Sequence, residues 1–187
     1  MPERVGGKEV TSLGILKTAD EIREMYGIPA DPEEICREEK ILLLHEPMGT
    51  ADTSCKGFIL QYHGVTAVTI NSEISEEMQK AVLYHELAHY FLHIRTGSSE
   101  AIHDSAVYDR ISLSELEANM LAAEMQLSDS SVLETLSECN DFFEAASLLG
   151  VPAELLDFKM RMMKRKGLPV PDAPLDSDSG YLAGCRG

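Results

Sequence analysis

Basic residues are in short supply: 16 lysines and arginines face 32 aspartates and glutamates in 187 residues, a formal charge of 16 − 32 = −16. So acidic a chain is not built to track phosphates, and direct nucleic-acid binding drops out of its expected activities. Long apolar runs are missing as well, since nothing approaches the roughly 18 to 20 residues that span a bilayer. Met1 to Val10 carry charge and two glycines where a secretory signal is apolar. These absences predict a cytoplasmic protein with no membrane partner. Cysteine is sparse: Cys36, Cys55, Cys139 and Cys185 are widely spaced and form no Cys-x-x-Cys pair, which suits reduced thiols better than a disulfide scaffold. There is no internal repeat.

What is present fits one globular domain. The length matches a typical domain of roughly 100 to 200 residues, and 44% hydrophobic with 26% charged residues is ordinary for a chain that buries a substantial core. Apolar residues recur at helical spacing from Leu13 to Met25 and stop at Gly27 and Pro29. Asp31 then caps a second helix, with Pro32 at its first position, running to about Lys40. A strand is expected at Ile41 to Leu44. Gly57 to Tyr62 and Val65 to Ile70 form a hairpin around His63-Gly64.

Ser75 starts a helix that continues through His85 and His89 to a stop at Gly97, apolar almost all round and therefore central. Ser98 to Arg110 reads as a connection, and Leu113 to Leu127 as a strong helix, with two more helices after it. The last of these starts at Pro152 and ends before Gly167. Its basic residues, Lys159, Arg161, Lys164, Arg165 and Lys166, are expected to form a solvated, dipole-complementing surface, the competing reading being a docking patch for an acidic partner. The predicted fold is α+β, a small sheet with a hairpin packed on the central helix and an all-helical C-terminal part. The domain is placed at 1–168, followed by a flexible tail at 169–187 rich in Pro, Gly, Ser and Asp.

The central helix carries His85-Glu86-Leu87-Ala88-His89. A step of four residues turns an α-helix by about 400° and climbs about 6 Å, so both imidazoles leave one face about a turn apart and can grip one metal ion. Glu86, about 100° round from His85, is left beside the metal, where a base for water belongs. A catalytic zinc takes three protein ligands and keeps one position open. The candidates for the third are His93, His103 and the acids of the next helix. His93, about 12 Å along the axis from His85, is too distant and is expected at the helix end or the rim. Arg95 stands where a third histidine of the long His-Glu-x-x-His-x-x-Gly-x-x-His motif belongs, and Leu92 where its glycine does.

Glu115 and Asn119 share a helix face, with Glu117 turned away, so Glu115 is the candidate ligand and Asn119 the group that accepts a proton from a ligand imidazole. The bland alternative is a capping box, Ser112-x-x-Glu115 or Ser114-x-x-Glu117. His103, Tyr108 and Arg110 are oxyanion donors by chemistry only, and no choice is made among them.

Tyr84 to His93 followed by Glu115-Leu116-Glu117-Ala118-Asn119-Met120-Leu121-Ala122-Ala123-Glu124 resembles the ImmA/IrrE family of metallopeptidases. Thr69-Ile70-Asn71 is similar to that family's strand ending in asparagine, and Ala146 to Leu168 to its closing helices, so the resemblance covers about residues 13–168. It departs at Leu127-Ser128-Asp129 and Val151-Pro152, where the family carries methionine-proline and valine-serine. The resemblance implies a zincin-like fold and one zinc per chain held by His85, His89 and Glu115, with Glu86 as catalytic base. It also implies an intracellular endopeptidase whose protein substrate is a helix-turn-helix repressor controlling a mobile element or stress response. From chain order, the strand Val65 to Ile70 is expected to bind substrate through a free edge. Two rivals stand beside this reading, a non-catalytic metal-stabilised binding module and a metal-dependent hydrolase of a small molecule.

Overall fold

The computed structural model describes residues 12–51, 53–95, 107–139, 141–175 and 182, with backbone alone at 12 and 107–112. Among them the chain is α+β, as expected. Helix α1 (Ser12–Tyr26) is followed by α2 (Pro32–Glu38), whose cap Asp31 accepts through Oδ1 from Glu33 N at 3.0 Å and Glu34 N at 3.5 Å. Three strands follow, β1 (Leu42–Glu46), β2 (Gly57–Tyr62) and β3 (Val65–Asn71). His63 and Gly64 both take positive φ, 47° and 80°, the geometry that twists a two-residue hairpin correctly.

The sheet order is β1-β3-β2, with β1 parallel and β2 antiparallel to β3. This corrects the expectation of a free edge on Val65 to Ile70. β3 is the central strand, paired on both sides, because the chain returns through the hairpin to lie between its two predecessors. The outer strands are β1 and β2.

Val68 and Ile70 of β3 are fully buried on the side that meets α3 (Glu76–His89), whose Ala81, Val82, Tyr84, Leu87 and Ala88 are buried too. Ser75 caps α3, its Oγ accepting from Met78 N at 3.3 Å. β2 sits close upon this helix: a Cβ at Gly57 would stand 2.6 Å from Val82 Cγ1 and 3.0 Å from the Thr69 carbonyl. Glycine is what lets the strand approach. Asn71, at the end of β3, latches the loop before β2, donating from Nδ2 to the carbonyls of Gly49 (2.8 Å) and Cys55 (2.9 Å) and accepting from Met48 N and Glu73 N.

After α3 the helix widens into a π-turn, Tyr90–Ile94, where the expected helix simply continued. Helix α4 (Val107–Gln126) then packs along α3 and begins six residues before the predicted Leu113. Three helices follow where two were expected: α5 (Asp129–Glu138), α6 (Phe142–Leu149) and α7 (Ala153–Arg165). The extra one arises because Asp141 caps a new start, accepting from Phe143 N and Glu144 N, and Gly150 at φ 63° ends it.

The basic residues of α7 divide: Lys164 and Arg165 are exposed, as a solvated surface requires, whereas Lys159 and Lys166 turn inward to acids of α4 and α5. Lys159 is fully buried, its Nζ 2.7 Å from Asp129 Oδ1 and 3.1 Å from the buried Glu124, and Lys166 Nζ reaches Glu124 Oε2 at 2.6 Å. Arg161 clamps Asp157 with two bonds, 3.2 and 2.6 Å, and Lys164 pairs with Asp172. The cluster ties α7 to α4 and α5. The cysteine expectation also changes: Cys36 and Cys139 are free, but Cys55 is disulfide-bonded, since pairing follows proximity in the fold and not spacing in the chain. Leu182 is buried in the core. No helix among the described residues is long and apolar enough to cross a membrane.

Candidate metal centre

His85 and His89 leave α3 on the face turned to α4, one helical turn apart, as a four-residue step requires. Their Nε2 atoms stand 3.1 Å apart and the ring planes are nearly perpendicular, at 87°. From α4, Glu115 closes the group: Oε2 lies 3.1 Å from His85 Nε2 and Oε1 3.4 Å from His89 Nε2. All three offer a ligand atom within 4.8 Å of the others.

Lone pairs of two imidazoles and a carboxylate aimed at one point call for a cation between them. This nitrogen-and-oxygen set of three fits a catalytic zinc, which leaves a fourth position open. The opening is visible in the burial, because His85 is closed off at 0% exposure while the side chains of His89 and Glu115 keep 15% and 18%. Burial raises the Glu115 carboxyl, but hydrogen bonds and charge from both histidines outweigh it and hold the group well below the usual carboxylate range.

Glu86 stands next to the cluster and outside it, only 2% exposed. Burial pushes its carboxyl up to about 7, with Glu115 adding to the rise and His89 and the backbone N–H of Ile59 opposing it. Its Oε1 is buried with no hydrogen-bond partner. Asn119 is fully buried one turn beyond Glu115 on α4.

His93 lies outside the cluster, as its distance along the helix predicts. Its Nε2 is 3.1 Å from Ser114 Oγ and its ring is 5.6 Å from that of His89. Burial, then His89, lowers its imidazole to about 4 against a smaller opposing effect of Glu115. The capping boxes are ruled out at Ser112 and Ser114, which fall inside α4 once the helix begins at Val107. His103 and the side chains of Tyr108 and Arg110 lie outside the described residues. Two contacts have no signal in the sequence: the Ile59 N–H on Glu86, which needs β2 to fold over α3, and the His93–Ser114 bond, which needs the π-turn.

The IrrE N-terminal-like domain of the peptidase M78 family matches residues 36–161, a span that contains every group just described. The chain belongs to this peptidase family. Metallopeptidase ImmA of Bacillus subtilis (strain 168) is 30% identical to this family member over 156 residues, 80% of this chain and 86% of the relative. This M78 family member is accordingly a metallopeptidase, a hydrolase that acts on protein and whose His-His-Glu group is suited to a metal ion.

Proposed function

We propose that the protein is a zinc-dependent endopeptidase that cuts a helix-turn-helix repressor or a similar regulatory protein, with His85, His89 and Glu115 as ligands and Glu86 as catalytic base. The observation that carries this reading is the convergence of the three donors with a buried, unsatisfied carboxylate oxygen of Glu86 beside them. Zinc bound there supplies Lewis acidity toward a peptide carbonyl and brings the pKa of water down toward about 7. The side chains do the remaining work. Glu86 takes the proton of the attacking water and returns it to the leaving amine. Burial favours the protonated state that second step requires, and the Ile59 N–H steadies the ionised state needed for the first.

Asn119, fully buried one turn beyond Glu115, would orient a ligand imidazole by accepting a hydrogen bond from its ring N–H. Substrate adds as an extended strand to β2 in place of β3. The N–H of Ile59 reaches Glu86 and so points away from β3, which puts the outer edge of β2 beside the cluster. A DNA-binding repressor as substrate rests on the family resemblance and on charge, since a basic protein is attracted to a chain of net charge −16.

The test is incubation of purified protein with the repressor, for wild type and Glu86→Gln, with cleavage followed by intact mass and zinc content measured in parallel. Cleavage by wild type, a loss of about 10² to 10⁴ in rate in the variant, and about one zinc in each are expected. Equal cleavage by both removes Glu86 from the chemistry. An uncut repressor beside turnover of a small amide or ester moves the substrate to a small molecule.

A further inference from the structure

The helix that carries the two histidines does not end as an α-helix. Arg95 N–H bonds the carbonyl of Tyr90 at 2.8 Å, five residues back, across the π-turn Tyr90–Ile94. Such turns are rare and frequently lie at functional sites. The wider turn rotates each residue less, so four steps from His89 fall short of a full turn where an α-helix overshoots it by about 40°. His93 is thereby swung until its Nε2 meets Ser114 Oγ at 3.1 Å.

Ser114 precedes Glu115 and lies well inside α4, where serine gives up helix propensity unless its hydroxyl has a use. The turn is anchored elsewhere as well. Glu39, just past α2, accepts from Tyr90 OH at 2.8 Å and from Tyr26 OH of α1 at 3.0 Å, and Arg95 Nη1 stands 3.6 Å from the same carboxylate. The Arg95 guanidinium lies over the Phe91 ring, 5.3 Å from its centre. None of these contacts involves the His85–His89–Glu115 cluster, so they set the turn's shape without help from a metal.

We infer that His93 is a positioning residue: the π-turn directs it onto Ser114, and that bond fixes α4 against α3 so that the Glu115 carboxylate converges on His85 and His89 before any metal arrives. This rests on the ligand set proposed above. His93 is held back from ligation by position, since it is absent from the group of atoms within 4.8 Å. Groups that support ligands in this way typically change metal affinity by about 10- to 100-fold.

The experiment is chelator competition with Zn²⁺ on the full chain, as wild type, His93→Ala, Ser114→Ala, the double variant, His93→Asn and Glu115→Ala, with the melting temperature of each metal-free protein recorded. The expected result is affinity about tenfold or more weaker in either single variant and no further loss in the double variant. His93→Asn, which can still bond Ser114, recovers part of the loss, while the metal-free melting temperature of Ser114→Ala stays near wild type. Wild-type affinity in Ser114→Ala and His93→Ala, with Glu115→Ala weakened, overturns the positioning role and leaves the ligand set standing. Additive losses in the double variant overturn it too, because the two side chains then act separately. Wild-type affinity in Glu115→Ala overturns the ligand set itself. If His93→Ala fails to fold, Ser114→Ala, which removes a single oxygen, decides the matter.

Discussion

Asp129 opens α5 facing two ammonium groups, Lys159 Nζ at 2.7 Å and Lys166 Nζ at 2.9 Å. Burial raises its carboxyl, but the hydrogen bonds from the two lysines and their charge outweigh burial, and the net shift is downward. A carboxyl depressed by folding stabilises the native state above its unfolded value of about 3.9 and loses that contribution as pH falls toward the folded value. Asp129→Asn should therefore be less stable than wild type at pH 7, by about 1–2 kcal/mol for a partly exposed charged hydrogen bond. The difference should shrink as pH falls below about 4. Urea titrations at several pH values measure this, and parallel stability curves for the two proteins would contradict it. The expectation of a solvated surface at Lys159 missed this network, although the residue's spacing carries a signal of it. Lys159 is four residues after Leu155 and three before Met162, on the stripe that buries α7, so a lysine there had to find acids. Which acids was not legible, because Glu124 and Asp129 come from helices whose packing on α7 only the fold supplies.

Among the strands, the proposed function gives β2 the substrate-binding role that chain order assigned to β3, because β3 is paired on both sides. The outward N–H of Ile59 implies that the N–H of Gln61, two residues on, also points away from β3 and is open to an incoming peptide. Gln61→Pro removes that donor while sparing the ladder to β3, and the extended residue before it tolerates proline. The expected outcome is a drop of about tenfold in kcat/KM for the protein substrate, the value of one backbone hydrogen bond and its stranded partner, with zinc content unchanged. Unchanged cleavage would take the substrate off this edge. Local signals located most elements well: the Asp31 and Ser75 caps, the His63-Gly64 turn and the histidine helix all appear where their residues predict. The misses share a cause. The π-turn, the early start of α4 and the sheet order depend on contacts between distant segments, which periodicity does not encode. The convergence of His85 and His89 was legible because a helix's four-residue step is local geometry, and Glu115, picked by the same rule applied to α4, joins them in a group suited to a metal ion.

At the scale of the whole molecule, the surplus of 16 negative charges sets how a partner arrives more than how tightly it is held. The charges that make contacts inside the fold, such as Glu124 with Lys159 and Lys166, are internally compensated and contribute little to the outer field. A basic repressor approaching such a surface gains rate from long-range attraction, whereas a short uncharged peptide spanning the same scissile bond gains none. Salt discriminates between the two, since the screening length shrinks from about 30 Å at 0.01 M to about 8 Å at 0.15 M. Raising salt over this range should lower kcat/KM for the repressor by about tenfold or more and leave the uncharged peptide nearly unaffected, in stopped or continuous cleavage assays run side by side. Equal salt dependence for both substrates would place the effect at the metal centre or on stability. Insensitivity of both would mean that the acidic surface is only a solvated face, and that recognition of the substrate is confined to the outer edge of β2 beside the His85–His89–Glu115 group.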